Sequence, residues 1–324
     1  MGHMMTFACG DLCQRDDTSA RRASLRLCAG LLLLLLGFTA TAADESATRA
    51  IEAEGARVRV TFQSTDFKHG TAPIVAWIER SMAIVARYYG QFPAKELRIR
   101  VISLDGSGVR HGTTFGMSVP YIRLQIGHDV TAEELTDDWI LVHEMLHLAL
   151  PEVGDGHVWL TEGLSTYIEG IARVHAGELR AERVWAEQVR SMPNGLPRSG
   201  DEGLDHTHTW GRTYWGGALF CLLADVEIRK RTRNRFGLRD AMSAVLRESG
   251  GVSFERPIDR VLQVGDEATG TTVLRDLYAQ MKDEPVSPDL DDLWQQLGIL
   301  RSEDGVELRD DAPLAATRKA IMTR

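Results

Sequence analysis

The segment Trp139–Leu150 reads Trp-Ile-Leu-Val-His-Glu-Met-Leu-His-Leu-Ala-Leu, and nine of its twelve residues are apolar. They fall on every side of a helix, which is the pattern of a helix buried all round. The polar exceptions are His143, Glu144 and His147. Burying such groups without partners is costly, so something must compensate them. His143 and His147 stand at i and i+4, one turn apart on one face. That spacing lets two imidazole nitrogens hold one Zn²⁺. Glu144 follows the first histidine and faces the same cleft, where it can serve as general base toward water activated by the metal. Two core histidines satisfied by backbone are the plainer alternative. An otherwise apolar helix, and the sequence that follows it, speak against that.

A catalytic zinc site keeps three protein ligands and one open position. The third ligand is expected downstream, in Trp159-Leu160-Thr161-Glu162-Gly163-Leu164-Ser165-Thr166-Tyr167-Ile168-Glu169. Glu162 lies fifteen residues after His147, and Pro151, Gly154, Asp155 and Gly156 between them make a turn. A turn there folds a second helix against the first and brings Glu162 to the two histidines. Glu169, two turns below Glu162, is read either as an acid that orients a ligand histidine or as an exposed acid.

These residues carry a resemblance. His143-Glu144-Met145-Leu146-His147 followed by Trp159-Leu160-Thr161-Glu162-Gly163 resembles the gluzincin zinc metallopeptidases, closest to the aminopeptidase N and glycyl aminopeptidase families, whose second motif is W-x-x-E-G. Thr213-Tyr214-Trp215-Gly216-Gly217-Ala218-Leu219 is similar to their Y-x-x-G-A-L segment. The resemblance runs from about Thr131 to Arg229. It implies a zincin-like fold, one Zn²⁺ per chain, a peptide or protein substrate, and Tyr214 as donor to the oxyanion. Two features depart from the pattern. The spacer from His147 to Glu162 is short, and Phe115-Gly116-Met117-Ser118 has no acid after Met117. In the aminopeptidases an acid at that point anchors the substrate's amino terminus, so exo- and endo-cleavage both stay open.

The rest of the chain predicts an α+β fold, a small mixed sheet followed by a mostly helical part. Val58, Val60 and Phe62 alternate with polar residues as in a strand, and so do Leu97–Ile102 and Val119–Ile126. Pro73 opens a helix through Tyr89. Residues 44–55 read as a loose polar start and Asp105–Gly116 as a Gly/Ser/Thr-rich loop. A single helix is expected from about Thr131 to Leu150, and helices after it. The strand Val119–Ile126 is expected at the sheet edge, where an extended substrate could pair. The parts are thus 1–43, a leader; 44–130, the sheet-containing part; and 131–324, the helical part with the zinc site.

The leader reading rests on Arg21, Arg22 and Arg26, then the apolar run Leu27–Phe38, then Ala40, Thr41, Ala42 and Ala43. A charged start, a short apolar run and small residues make a signal peptide, and about 20 apolar residues would be needed to span a membrane. The protein is therefore expected to be exported, periplasmic or secreted, with no stable span after cleavage. Cys221 would be the one cysteine left, a small buried hydrophobe. A net charge of −9 over 324 residues excludes a nucleic-acid binder working through a basic surface. His206 and His208 read as surface histidines, His157 as a possible neighbour of the ligands, and Arg229–Arg235 as a solvated helix end. The whole predicts an exported zinc-dependent metallopeptidase. A zinc hydrolase of non-peptide substrates and a catalytically silent gluzincin-like binding module are the alternatives.

Overall fold

Apolar residues at every second position bury one face of each central strand, and this decides how the first third of the chain folds. The computed structural model describes residues 47–323. The leader assigned to 1–43, and residues 44–46, lie outside the described residues. Strands β1 (Ala47–Ala53), β2 (Ala56–Phe62), β3 (Glu96–Leu104), β4 (Val109–Phe115) and β5 (Tyr121–Gly127) form one sheet in the order β1-β2-β3-β5-β4. The pairs β2–β3 and β3–β5 are parallel, and both outer pairs are antiparallel. Val58, Val60 and Phe62 of β2, Leu97, Ile99 and Val101 of β3, and Ile122, Leu124 and Ile126 of β5 are buried in one continuous core.

Helix α1 (Ala72–Tyr89) makes the crossover between β2 and β3. Pro73 stands in its first turn, and Gly90 ends it at φ 82°, a left-handed position that suits glycine. Its buried face, with Ile74, Trp77, Ile78, Met82 and Val85, packs on the two helices that carry the metal motif. The helical part adds α2 (Ala132–Asp137), α3 (Ile140–Leu146), α4 (Val158–Ala176), α5 (Ala181–Ser191), α6 (Gly217–Thr232), α7 (Leu238–Ser249), α8 (Ile258–Thr269), α9 (Val273–Met281) and α10 (Leu290–Leu297). A hairpin, β6 (Ile299–Ser302) and β7 (Gly305–Leu308), then precedes α11 (Ala315–Met322). The α+β expectation holds. Among the described residues no helix is long and apolar enough to cross a membrane.

Four local expectations need correction. The polar start is strand β1 from Ala47. Val109–Phe115, within the expected loop, is strand β4, and β4 rather than Val119–Ile126 is the sheet edge; β5 lies inside, between β3 and β4. The single helix from Thr131 is broken. Asp138 is extended (φ −62°, ψ 139°), and its carboxylate accepts from Leu141 N, so it restarts the chain as α3. Past Leu146 the helix tightens to a 3₁₀ turn, His147–Ala149. Finally, the helical part contains the β6–β7 hairpin.

Candidate metal centre

Helix α3 carries His143, the 3₁₀ turn that continues it carries His147 one turn on, and α4 crosses them so that Glu162 comes up between the two. Oε2 of Glu162 lies 3.2 Å from His143 Nε2 and 3.5 Å from His147 Nε2. The three residues form a cluster whose ligand atoms all lie within 4.8 Å of one another. Bonds of about 2.0–2.1 Å from a tetrahedral zinc give donor–donor edges of roughly 3.3 Å, so the two measured edges fit that ion. His157, His206 and His208 do not join the cluster. His157 contacts Val153 O, Tyr278 and Asp205, and the exposed His206 pairs with Asp283.

The ligand set is electrically matched. Burial would raise the Glu162 carboxyl, but the His147 charge and hydrogen bonds with His143 and His147 hold it well below the usual carboxylate range. Burial opposes charge on His147, yet Glu162, with a smaller contribution from Glu144, raises its pKa. Ser165, one turn beyond Glu162, sets its Oγ 3.3 Å from His147 Nδ1 and so orients that ring. Nδ1 of His143 is buried with no hydrogen-bond partner. Glu169 is not an exposed acid: it is largely buried, accepts from Arg173 Nη1 at 3.1 Å, and lies within electrostatic reach of His143.

Glu144 is only 9% exposed and stands apart from the ligand triad. The hydroxyl of Thr114, on β4, contacts both the Glu144 carbonyl (2.8 Å) and its Oε2 (2.7 Å). A Cβ on Gly112 would sit 2.5 Å from Glu144 Cγ, so β4 can approach this side chain only through glycine. Thr114 and Gly112 were missed by sequence reasoning because their segment reads as a loop. Their signal is positional and needs the pairing with β5.

Tyr214 lies in a π-helical turn, Gly211–Gly216, directly before α6. Its ring stacks on that of His143, 6.3 Å between centres and 22° between planes. Two glycines bring it there. A Cβ on Gly163 would collide with the Gly217 backbone, and one on Gly217 with Trp159 O. Helices α4 and α6 therefore meet backbone to backbone, just after Glu162 and Tyr214 respectively. Arg212, 1% exposed, fixes the π turn by donating from Nη1 to Gly195 O at 2.5 Å. Arg229, expected in a solvated cluster, is instead buried against Asp225 at 2.8 Å.

Neither a protein-family model nor a curated protein sequence matches the chain. Solved structures do. An aminopeptidase N family protein from Idiomarina loihiensis aligns at 14% identity and a TM-score of 0.60, over 79% of this chain and 50% of its own. An M1 zinc metallopeptidase variant from Deinococcus radiodurans, bound to a Tyr-Ser-Ala substrate, aligns at 11% identity and a TM-score of 0.50, over 75% of this chain and 53% of its own. The chain thus spans about half the length of these structures and has the gluzincin, aminopeptidase-like fold of the M1 zinc metallopeptidases.

Proposed function

We propose that this chain is an exported zinc-dependent peptidase, with His143, His147 and Glu162 as the metal ligands and Glu144 as the base. The observation that carries the reading is the donor triangle: two imidazole nitrogens and one carboxylate oxygen at 3.2 and 3.5 Å, beside a second carboxylate that is not part of it. A structural site has no use for that second carboxylate.

Zinc, when bound, supplies the Lewis acidity that makes water nucleophilic near neutral pH. Glu144 takes the proton from the attacking water and returns it to the leaving amine. Thr114, bonded to Glu144 Oε2, keeps the carboxylate aimed at the cleft. Tyr214 donates to the oxyanion that develops on the peptide carbonyl. The peptide itself lies extended along β4, the edge strand of the sheet beside Glu144, where main-chain groups pair as a further strand. Peptide as substrate is taken over from the Deinococcus neighbour.

The test sets zinc content beside turnover. Purified chain should hold about one zinc per molecule. Glu162→Ala should lose zinc and activity together. Glu144→Gln keeps the shape and removes the proton acceptor, so it should keep zinc and lose about 10²–10⁴ in turnover. Peptide cleavage by Glu144→Gln at the parent's rate would defeat the proposal.

A further inference from the structure

Seven tryptophans occur in the chain, all within the described residues. Trp77, Trp159, Trp185 and Trp294 are buried, and Trp215 packs partly buried on the core. Trp139 and Trp210 are different, at 53% and 54% exposed. Both stand at the metal centre, on different elements. Trp139 meets His143 edge-on, with 5.5 Å between ring centres. Trp210 stacks on Tyr214 at 6.2 Å and 28°. Since Tyr214 itself stacks on His143, the rings form an unbroken arc: Trp139, His143, Tyr214, Trp210.

The placement follows from one spacing used twice. Trp139 precedes His143 by four residues, and Trp210 precedes Tyr214 by four. In helical backbone that sets each indole over the chemical residue, one turn back on the same face. The fold gains little from them, because half of each ring stays in water, and large exposed apolar groups gathered at one place mark a binding surface. Tryptophan offers wide contact at low entropic cost.

We infer that the exposed indoles of Trp139 and Trp210 form the apolar rim of a side-chain subsite that takes a bulky apolar residue, aromatic or branched aliphatic, beside the peptide bond being cut. This rests on the peptidase reading for its substrate and deepens it by naming the substrate class. Burial of a large side chain against these indoles removes apolar surface from water, which an alanine in the same place cannot match.

The experiment has two arms. In the first, the zinc-loaded chain is offered quenched peptides that differ only in Phe, Lys or Ala beside the scissile bond. In the second, Ala-Phe-Ala, Ala-Lys-Ala and Ala-Ala-Ala amides are titrated by calorimetry into zinc-loaded Glu144→Gln, whose slowed turnover leaves binding to be read. Phe should exceed Ala at least tenfold in kcat/KM and in affinity. Trp139→Leu with Trp210→Leu should bring that ratio to within about threefold of unity. Zinc stoichiometry and melting temperature should hold, because both indoles lie outside the core. Equal binding of the Phe and Ala peptides, preference for Lys, or a ratio untouched by the Trp substitutions overturns the inference. No cleavage of any peptide in the first arm defeats the peptidase reading alone, since the calorimetric arm still decides the subsite.

Discussion

Glu144 and Glu162 are carboxylates set against the same pair of imidazoles, and their surroundings give them different work. Glu162 sits between the two rings and is held as the anion by them. Glu144 is tethered by Thr114 instead. A third acid near the motif, Asp138, shows what burial does when compensation is thin. Its pKa is pushed up to about 6, chiefly by burial, against hydrogen bonds from Leu141 and Ile140 and the more distant Arg173 and Arg80. A carboxyl whose folded pKa exceeds its unfolded value favours folding at low pH, and that contribution is lost as pH rises through about 6. Asp138→Asn keeps the acceptor for Leu141 N and removes the charge. It should melt a few degrees above the parent at pH 7 and level with it at pH 4, read by thermal unfolding across that range. A gap of the same size at both pH values would refute the assignment. Residues of this kind are the part of the site that sequence shows best. His143, His147 and Glu162, which the fold brings together, were legible because their spacing and chemistry are those of a group that could hold a metal. Ser165, Thr114 and Arg212 were not, because each acts through a contact made only after distant segments meet.

Elements were legible where burial imposes a period and obscure where it does not. Strand β2 and helix α1 declare themselves through apolar residues at every second position and on one helical face. Strand β4 carries Arg-His-Gly-Thr-Thr and turns polar side chains toward the cleft, so no apolar alternation marks it. It is a strand because β5 offers its backbone groups partners. The interruption at Asp138 was equally hidden, since extended backbone there leaves the apolar pattern of α3 intact. Glycines at helix contacts speak more plainly in the structure than in the motif. Gly217→Ala places a methyl against Trp159 O and pushes α6 from α4. Overpacking of this sort costs about 1–3 kcal/mol. Gly217→Ala should therefore lower the melting temperature, and it should lower kcat more than KM because Tyr214 moves with α6. Zinc should stay bound, since the proposed ligands reside on α3, the 3₁₀ turn after it and α4. Wild-type kcat in Gly217→Ala would separate the Tyr214 position from the helix contact.

At the scale of the molecule, one core joins the sheet to the helices, and the metal motif lies where the two meet. The five-stranded sheet ends at Gly127 and α2 begins at Ala132, with α1 inside the first part and the β6–β7 hairpin inside the second. The export reading concerns residues outside the described ones. It predicts a mature amino terminus near Ala43 or Asp44, checked by terminal sequencing of the protein isolated from its native host. Retention of Arg21–Phe38 in that material would mean an anchored protein.

Helix α11 packs on both α4 and α6, and Ile321 O accepts from the buried Nε2 of His175, near the end of α4. Arg318, 2% exposed, gathers the carbonyls of Leu297, Gly298 and Arg309 around the same helix. The helix that carries Glu162 is thus finished from behind by residues about 150 positions later in the chain. During synthesis the zinc motif emerges long before its backing does. A ribosome must reach α11 before α4 has all its partners, so the last contacts on the helix of Glu162 close well after the motif itself is made. A nascent or clipped chain lacking α11 would carry every chemical residue of the site but leave the last turn of α4 without this backing.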